Sequence, residues 1–348
     1  MIKTLTYNLL DPLQWQALVE QSSYATWFQT KDAYEFYAAL PEEMEPFAIG
    51  VEEDGHLTGV IVGYTTQEKN PIKQLLTCRS IIIGGPLLDE HISNNALSAL
   101  LEMIGKESTG VADLQPAGRS TAKRSTGLSP IYIETRNFHD YSKWKSVFES
   151  NGFKYQPHLN IQVTCDAAHT MSEQRIRQVK KALKNGVEIV EASSEQEIRD
   201  WYEILYKLYR EKVSTPLFSV EFFLQFYRNG VGKYLLVKYQ GKVIGGMMCP
   251  ILKSKAIYEW YVCGLDEEYR DQYPSVMATY AAIEYAKQNN LPLFDFMGAG
   301  KPDEPYGVRD FKAEFGGELV EHGRFLCVRK PLLYWIGKMG VKFLKSKR

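Results

Sequence analysis

Two stretches of this 348-residue chain, far apart in sequence, follow one plan: "FAIGVEEDGHLTGVIVG" (Phe47–Gly63) and "YLLVKYQGKVIGGMMCP" (Tyr234–Pro250). Each reads as an apolar strand, a polar turn and a second apolar strand. A turn glycine and a strand glycine recur at one spacing, Gly55 and Gly59 in the first, Gly241 and Gly245 in the second. Turn glycines permit positive φ, and a glycine inside a returning strand marks a bulge or a close backbone approach. A second pair repeats as well: "YSKWKSVFESNGFKYQPHLNIQV" (Tyr141–Val163) and "VRDFKAEFGGELVEHGRFLCV" (Val308–Val328) both run helix, glycine stop, strand. The pattern predicts two α/β halves of related design. The expected division is an N-terminal domain over 1–170, a basic connecting helix over 171–187, a C-terminal domain over 188–330 and a basic amphipathic helix over 331–348.

Length suits two domains, and 45% apolar with 24% charged residues is ordinary for a globular chain. A net charge of -1 argues against a nucleic-acid coat while leaving room for local basic patches. Five scattered cysteines without a C-x-x-C pair fit reduced thiols better than a disulfide frame or a zinc site. No signal peptide and no membrane-spanning run is read, so a cytoplasmic location is expected. The Ser-, Thr- and Gly-rich stretch Ala117–Pro130 is expected to be a mobile loop.

The chemistry-bearing residues gather in the second half. "PSVMATYAAIEYAKQNN" (Pro274–Asn290) predicts a helix, "LPLFDFMG" a buried strand, and the glycine-rich segment beyond it a loop at a strand end, where α/β sheets bind ligands. Asp295 and Glu259 each interrupt an apolar strand, where an unpaired charge costs several kcal/mol, on the order of a lost buried interaction. Each therefore reads either as a general base in a cleft or as half of a salt bridge. The basic helix carries Arg175, Arg177, Lys180, Lys181 and Lys184, a pattern equally suited to nucleic-acid phosphates and to a solvated linker. At the C-terminus, Leu332, Trp335, Ile336, Met339 and Phe343 share one helix face, with Lys338, Lys342 and Lys345 clustered opposite. That reads as a helix lying on an anionic membrane surface or as a docked terminal helix with outward lysines.

The order of elements, with "VIGGMM", the long helix and "FKAEFGG", resembles the GNAT acyltransferase fold in tandem. More narrowly, "FQT", "GGPLL" (Gly84–Leu88), "RIRQVKKALKNGV" and above all "YGVRDFKAEFGG" are similar to the Fem-type aminoacyltransferases. The resemblance implies two GNAT-like α/β domains, each with a mixed, mostly antiparallel sheet. It also implies transfer of an amino acid from aminoacyl-tRNA to an amine of a lipid-linked or nucleotide-linked muropeptide, without a cofactor. Under it Lys312 stands at the family's functional lysine, stabilising an oxyanion or donor phosphate; otherwise it is an exposed lysine on a short helix. Asp295 and Glu259 join it as catalytic candidates. Tyr306, Arg309, Phe311, Lys301, Tyr261 and Tyr37 are the candidate substrate-binding residues, no metal being expected.

Two departures qualify the resemblance. GNAT enzymes that use acyl-CoA carry an R/Q-x-x-G-x-G/A turn, and here "YRDQYPSVM" puts Tyr273 and Ser275 at the glycine positions. Counting from Gln29, the phosphate-contacting lysine of the Fem group falls on Tyr37, with Lys31 the nearest cation. The alternatives are an N-acyltransferase using acyl-CoA or an acyl carrier protein on an amino sugar or cell-surface polysaccharide, and a non-catalytic GNAT-like binding module.

Overall fold

The computed structural model describes residues 1–107, 129–213 and 216–346, so most of Ala117–Pro130 lies outside the described residues. The chain forms two compact units, one of Met1–Pro157 with His322–Arg348, the other of His158–Glu321. Both are α/β, with one mixed sheet in each unit.

The first sheet contains β1 (Ile2–Thr6), β2 (Met44–Glu53), β3 (His56–Thr66), β4 (Ser80–Gly84), β5 (Leu87–Leu88), β6 (Tyr132–Asn137) and β7 (Lys154–Gln156). The second contains β8 (Leu159–Thr164), β9 (Val187–Glu191), β10 (Gly232–Tyr239), β11 (Lys242–Leu252), β12 (Ala256–Tyr258), β13 (Tyr261–Gly264), β14 (Leu293–Asp295) and β15 (Glu318–Glu321). A last strand, β16 (Arg324–Val328), returns to the first sheet, whose order is β1-β2-β3-β4-β6-β16-β7 with β5 beside β3. The second runs β15-β8-β14-β12-β11-β10-β9 with β13 beside β11. Each sheet is antiparallel except at one junction, β4 with β6 and β12 with β14.

The repeated hairpins are built alike. Each turn is two residues long with both residues at positive φ, Asp54 (51°) and Gly55 (85°), Gln240 (51°) and Gly241 (76°). That is the geometry whose twist matches antiparallel strands. Each also carries a bulge at the same place, between Val51 and Glu52 and between Val237 and Lys238. A Cβ on Gly245 would sit 2.8 Å from the Cys263 carbonyl oxygen, so this position needs glycine for close strand approach.

The strand boundaries differ from the expected ones. β8, expected in the N-terminal domain, pairs with β14 and β15 in the second sheet, and β16, expected in the C-terminal domain, pairs with β6 and β7 in the first. The repeated helix–glycine–strand endings therefore exchange their last strands, which hydropathy alternation cannot reveal because it fixes a buried face and not a sheet. The basic helix is α6 (Glu173–Lys184), and it is part of the second unit: Val179 and Ala182 are buried in that unit's core with Val163, Ile244, Met277 and Phe294. The first unit's core is centred on Ile49, Ile61, Leu97, Leu100, Phe148 and Phe325. All five cysteines are buried, and none is in a disulfide.

Candidate active site

The parallel junction of the second sheet is where its chemistry collects. Backbone N–H groups of two successive residues turn to different neighbours there. Glu259 donates to the Asp295 carbonyl on β14 (2.9 Å), and Trp260 to the Met248 carbonyl on β11 (3.1 Å). After this point β13 pairs with β11 alone. The sheet thus divides between Glu259 and Trp260. The first sheet divides in the same manner, β4 pairing with β6 while β5 pairs only with β3.

Three buried ionisable groups meet at this division. Lys312, from α10 (Gly307–Ala313), has its Nζ 2.9 Å from Glu259 Oε1, with side-chain exposures of 10% and 6%. The same ammonium donates to the carbonyls of Phe296 (2.9 Å) and Gly298 (2.8 Å). An ammonium has three protons, and here each has an acceptor. Lys312 is therefore neither an exposed lysine nor a free cation; it ties the loop after β14 to Glu259. Burial pushes the Glu259 carboxyl above the usual range, the Lys312 charge opposes this, and Asp295 adds to the rise.

Asp295, fully buried at the end of β14, accepts from Asn160 Nδ2 (2.8 Å), Gln162 Nε2 (2.9 Å) and the Met297 N–H (2.6 Å). Burial raises its pKa, and those three donors oppose the rise. Asn160 Oδ1 in turn accepts the Gly298 N–H (2.8 Å), so Asp295 and Asn160 together shape the start of the loop. Met297 there sits at a φ of 57°, a conformation that costs a non-glycine residue energy and persists only where its surroundings impose it. The two readings of the strand carboxylates resolve differently: Glu259 has a cation partner, Asp295 amide partners.

The other expected site residues divide by position. Arg309 spends its guanidinium on the loop, donating Nε to the Ala299 carbonyl (2.8 Å) and Nη2 to those of Glu304 (3.2 Å) and Lys301. It staples the loop. Lys301 is exposed and paired with Glu304 (2.6 Å). Phe311 lies against the Arg175 guanidinium (4.4 Å) and the Phe315 ring (5.3 Å), a packing role. Arg175 itself is buried and 3.4 Å from Glu314, so it is not available to nucleic-acid phosphates. Arg177 and Lys181 are in surface pairs with Glu173 and Asp271. Tyr37 belongs to the first unit, on α2 (Lys31–Ala38), buried against Tyr64, and burial drives its pKa well up. It is a core residue, and Lys31 beside it is paired with Glu35 on the surface.

Tyr306, at the N-cap of α10, is 44% exposed, and Tyr261 is half-buried on β13. Tyr209, near the end of α7 (Glu195–Glu211), has its ring 6.2 Å from that of Tyr261. Burial pushes the Tyr209 phenol up to about 12, with Cys263 and Tyr306 contributing. Sequence reasoning missed Tyr209, which sits among apolar residues at helical spacing and looks like core. The result is an aromatic wall beside the division of the sheet.

The helix α9 (Pro274–Gln288) bears on the donor. Its N-cap Tyr273 is left-handed (φ 49°), Pro274 has no N–H, and the Ser275 N–H is taken by Asp266 Oδ1 (3.0 Å). Asp266 also accepts the Ser275 hydroxyl, and Glu267 and Glu268 follow it in sequence. A helix start that elsewhere welcomes a diphosphate is here closed by a carboxylate and a proline.

The motif residues of the first unit do structural work at its own division. Gln29 Nε2 donates to the Gly85 (2.8 Å) and Gly84 (3.3 Å) carbonyls, and its Oε1 accepts the Thr26 N–H (2.7 Å). "FQT" and "GGPLL" are thus two sides of one clamp. Among the described residues no group of His, Cys, Asp and Glu is arranged to hold a metal ion.

Comparison with known proteins bears on the fold. Residues 172–312 match the family model described as an acetyltransferase (GNAT) domain. A solved structure of FemX superposes with a TM-score of 0.68 at 16% identity, over 96% of this chain and 99% of that one. The structure of L-PGS from Bacillus licheniformis gives 0.57 at 12% identity, covering 94% and 96%. A tandem GNAT protein from the clavulanic acid biosynthesis pathway gives 0.52 at 9%, covering 94% and 98%. No curated protein matches in sequence. The chain has a tandem GNAT fold, similar to that of FemX.

Proposed function

We propose that this protein is an acyltransferase of the Fem type, moving an amino acid from aminoacyl-tRNA to an amine of a muropeptide precursor, lipid-linked or nucleotide-linked. The observation that carries the choice of donor is the closed start of α9, where Asp266 and Pro274 stand in the way of a diphosphate. A ribose ester needs no diphosphate cradle. The match of the fold to FemX supports the same reading. So does the name of L-PGS to a lesser degree, since the fold alone is shared.

In the reaction the acceptor nitrogen attacks the ester carbonyl, the C–N bond forms, and the C–O bond to the ribose breaks. The ribose oxygen leaves with a proton, and the nitrogen gives one up. Glu259, with its pKa raised by burial and its position at the division of the sheet, is the group suited to take that proton. Lys312 and Asp295 act as positioning residues, holding Glu259 and the Phe296–Gly298 backbone in place. Tyr306, Tyr209 and Tyr261 offer ring faces and hydroxyls to the donor's terminal nucleoside. An acceptor that ends in a lipid requires the protein to work at the cytoplasmic membrane face, touching it through the C-terminal helix.

A second reading, N-acyl transfer from acyl-CoA, is favoured by the match of residues 172–312 to the acetyltransferase model. One pair of measurements separates them: calorimetry with acetyl-CoA, and single-turnover transfer from charged tRNA to both kinds of muropeptide. Transfer without acetyl-CoA binding is the expected result; micromolar acetyl-CoA binding and no transfer from tRNA would overturn the first reading in favour of the second.

A further inference from the structure

The helix α3 (Pro71–Thr77), "PIKQLLT", is built inside out. Its one buried side chain is the polar Gln74, whose amide donates to the Thr66 carbonyl (3.0 Å). Ile72, Leu75 and Leu76, on one face at i, i+3 and i+4, are 72%, 41% and 47% exposed. An amphipathic helix of a globular protein turns that face inward.

The C-terminal helix α11 (Pro331–Ser346) lies against α3 within the first unit and does the same. Its inner side docks through Tyr334, edge-on to Tyr132 at 5.5 Å. Its outer side presents Leu332, Trp335, Ile336 and Met339 at 70%, 60%, 46% and 50% exposure. Two neighbouring helices thus turn seven large apolar side chains to solvent. Single exposed apolar residues are normal, but a cluster on adjacent elements marks an interaction surface.

Charge selects the occupant. From Arg329 to Arg348 the sequence carries seven cations and no acid, in a chain whose net charge is -1. Lys69 before α3 and Lys73 within it are exposed too, paired with the surface carboxylates Glu42 and Glu68. A second copy docking by two-fold symmetry would set one cationic tail against the other. An anionic lipid surface neutralises both. No described helix is long and apolar enough to cross a membrane.

We infer that α3 and α11 together form one docking surface for an anionic phospholipid bilayer, with the seven apolar side chains at the acyl boundary and Lys69, Lys73 and Lys338 at the phosphates. This deepens the membrane contact in the proposed function and adds α3, a segment remote from the C-terminus.

The test is cosedimentation of the full chain with vesicles of phosphatidylcholine alone or with about one-third phosphatidylglycerol, the anionic lipid that draws basic surfaces. Binding only to the anionic vesicles, reversed by salt, is expected. Leu75→Ser with Leu76→Ser in α3, and separately Trp335→Ser, should each weaken partitioning on the order of tenfold or more, with melting temperature held. Protein left in the supernatant with anionic vesicles overturns the inference, as does full binding by the α3 variant. So does a dimer in sedimentation velocity that these variants dissolve. Transfer from charged tRNA to nucleotide-linked and to detergent-solubilised lipid-linked acceptors, without vesicles, is read in parallel: failure with both removes the transferase reading and leaves the vesicle result standing.

Discussion

Lys312 and Glu259 face each other at 2.9 Å inside the second unit, and Glu259 is the residue after which its sheet divides. The pair links a sheet irregularity to the loop that follows β14. Breaking it by removing one partner leaves a buried charge unmatched. Lys312→Met should therefore lower stability by about 3 kcal/mol or more, far beyond the change expected of a surface lysine. Thermal melting checks the value. Lys312→Met combined with Glu259→Leu should cost less than the two single changes added, and simple additivity in this cycle would show the pair to be uncoupled.

Acidity supplies a second test. Burial makes the folded chain hold the Glu259 proton more tightly than the unfolded chain does. Such a carboxyl stabilises the fold below its unfolded value and loses that contribution as pH rises through the higher folded value. The window starts at the ordinary value of 4.5 and extends upward. Over it the wild type should lose melting temperature relative to Glu259→Gln as pH rises; a relative gain would mean that the Lys312 charge outweighs burial. Asp295 shifts in the same direction.

At the start of α9, Asp266→Ala removes an N-terminal hydrogen bond and should cost about 1 kcal/mol. It should not create acetyl-CoA binding, because Pro274 still lacks an N–H. Calorimetry of this variant showing micromolar binding would mean that the carboxylate alone excludes the diphosphate.

Tyr306 is exposed, so Tyr306→Ala should leave stability within about 0.5 kcal/mol of the wild type. Loss of a stacked ring should cost the donor about 1 kcal/mol or more of binding, read as a higher KM for charged tRNA with kcat little changed. Tyr209→Phe keeps the ring and removes the hydroxyl, and should affect KM less than Tyr306→Ala.

Arg309→Lys keeps the charge and loses the fork that reaches several carbonyls at once. Hydrogen exchange at Ala299–Glu304 should become faster, with the sheets unaffected; unchanged protection would show that the loop is held by other contacts.

Much of the fold was legible because it rests on local chemistry. Gly55 and Gly241 announce two-residue hairpins through backbone freedom alone, and the two carboxylates in apolar strands announce a polar cluster through the cost of burying charge. What could not be read was partnership. The three acceptors of Lys312 include two backbone carbonyls, Phe296 and Gly298, and a main-chain oxygen leaves no trace in side-chain identity. Arg309 is spent in the same way. Tyr37 was reached by counting from Gln29, and the count could not show that this position is in a core. The outward-facing apolar residues of α3 went unnoticed because seven residues make a weak pattern, and only coordinates show which side of a short helix is wet.

The return of β16 to the first sheet has a consequence for how the protein is made. This strand lies between β6 and β7 and pairs with both, yet the whole second unit, His158–Glu321, intervenes in the chain. During synthesis the N-terminal unit must wait, with β6 and β7 lacking the strand between them, until all of the second unit has been made. Nascent chains halted before residue 324 should therefore be dependent on chaperones and easily cut by protease, even though every other strand of that sheet has already emerged.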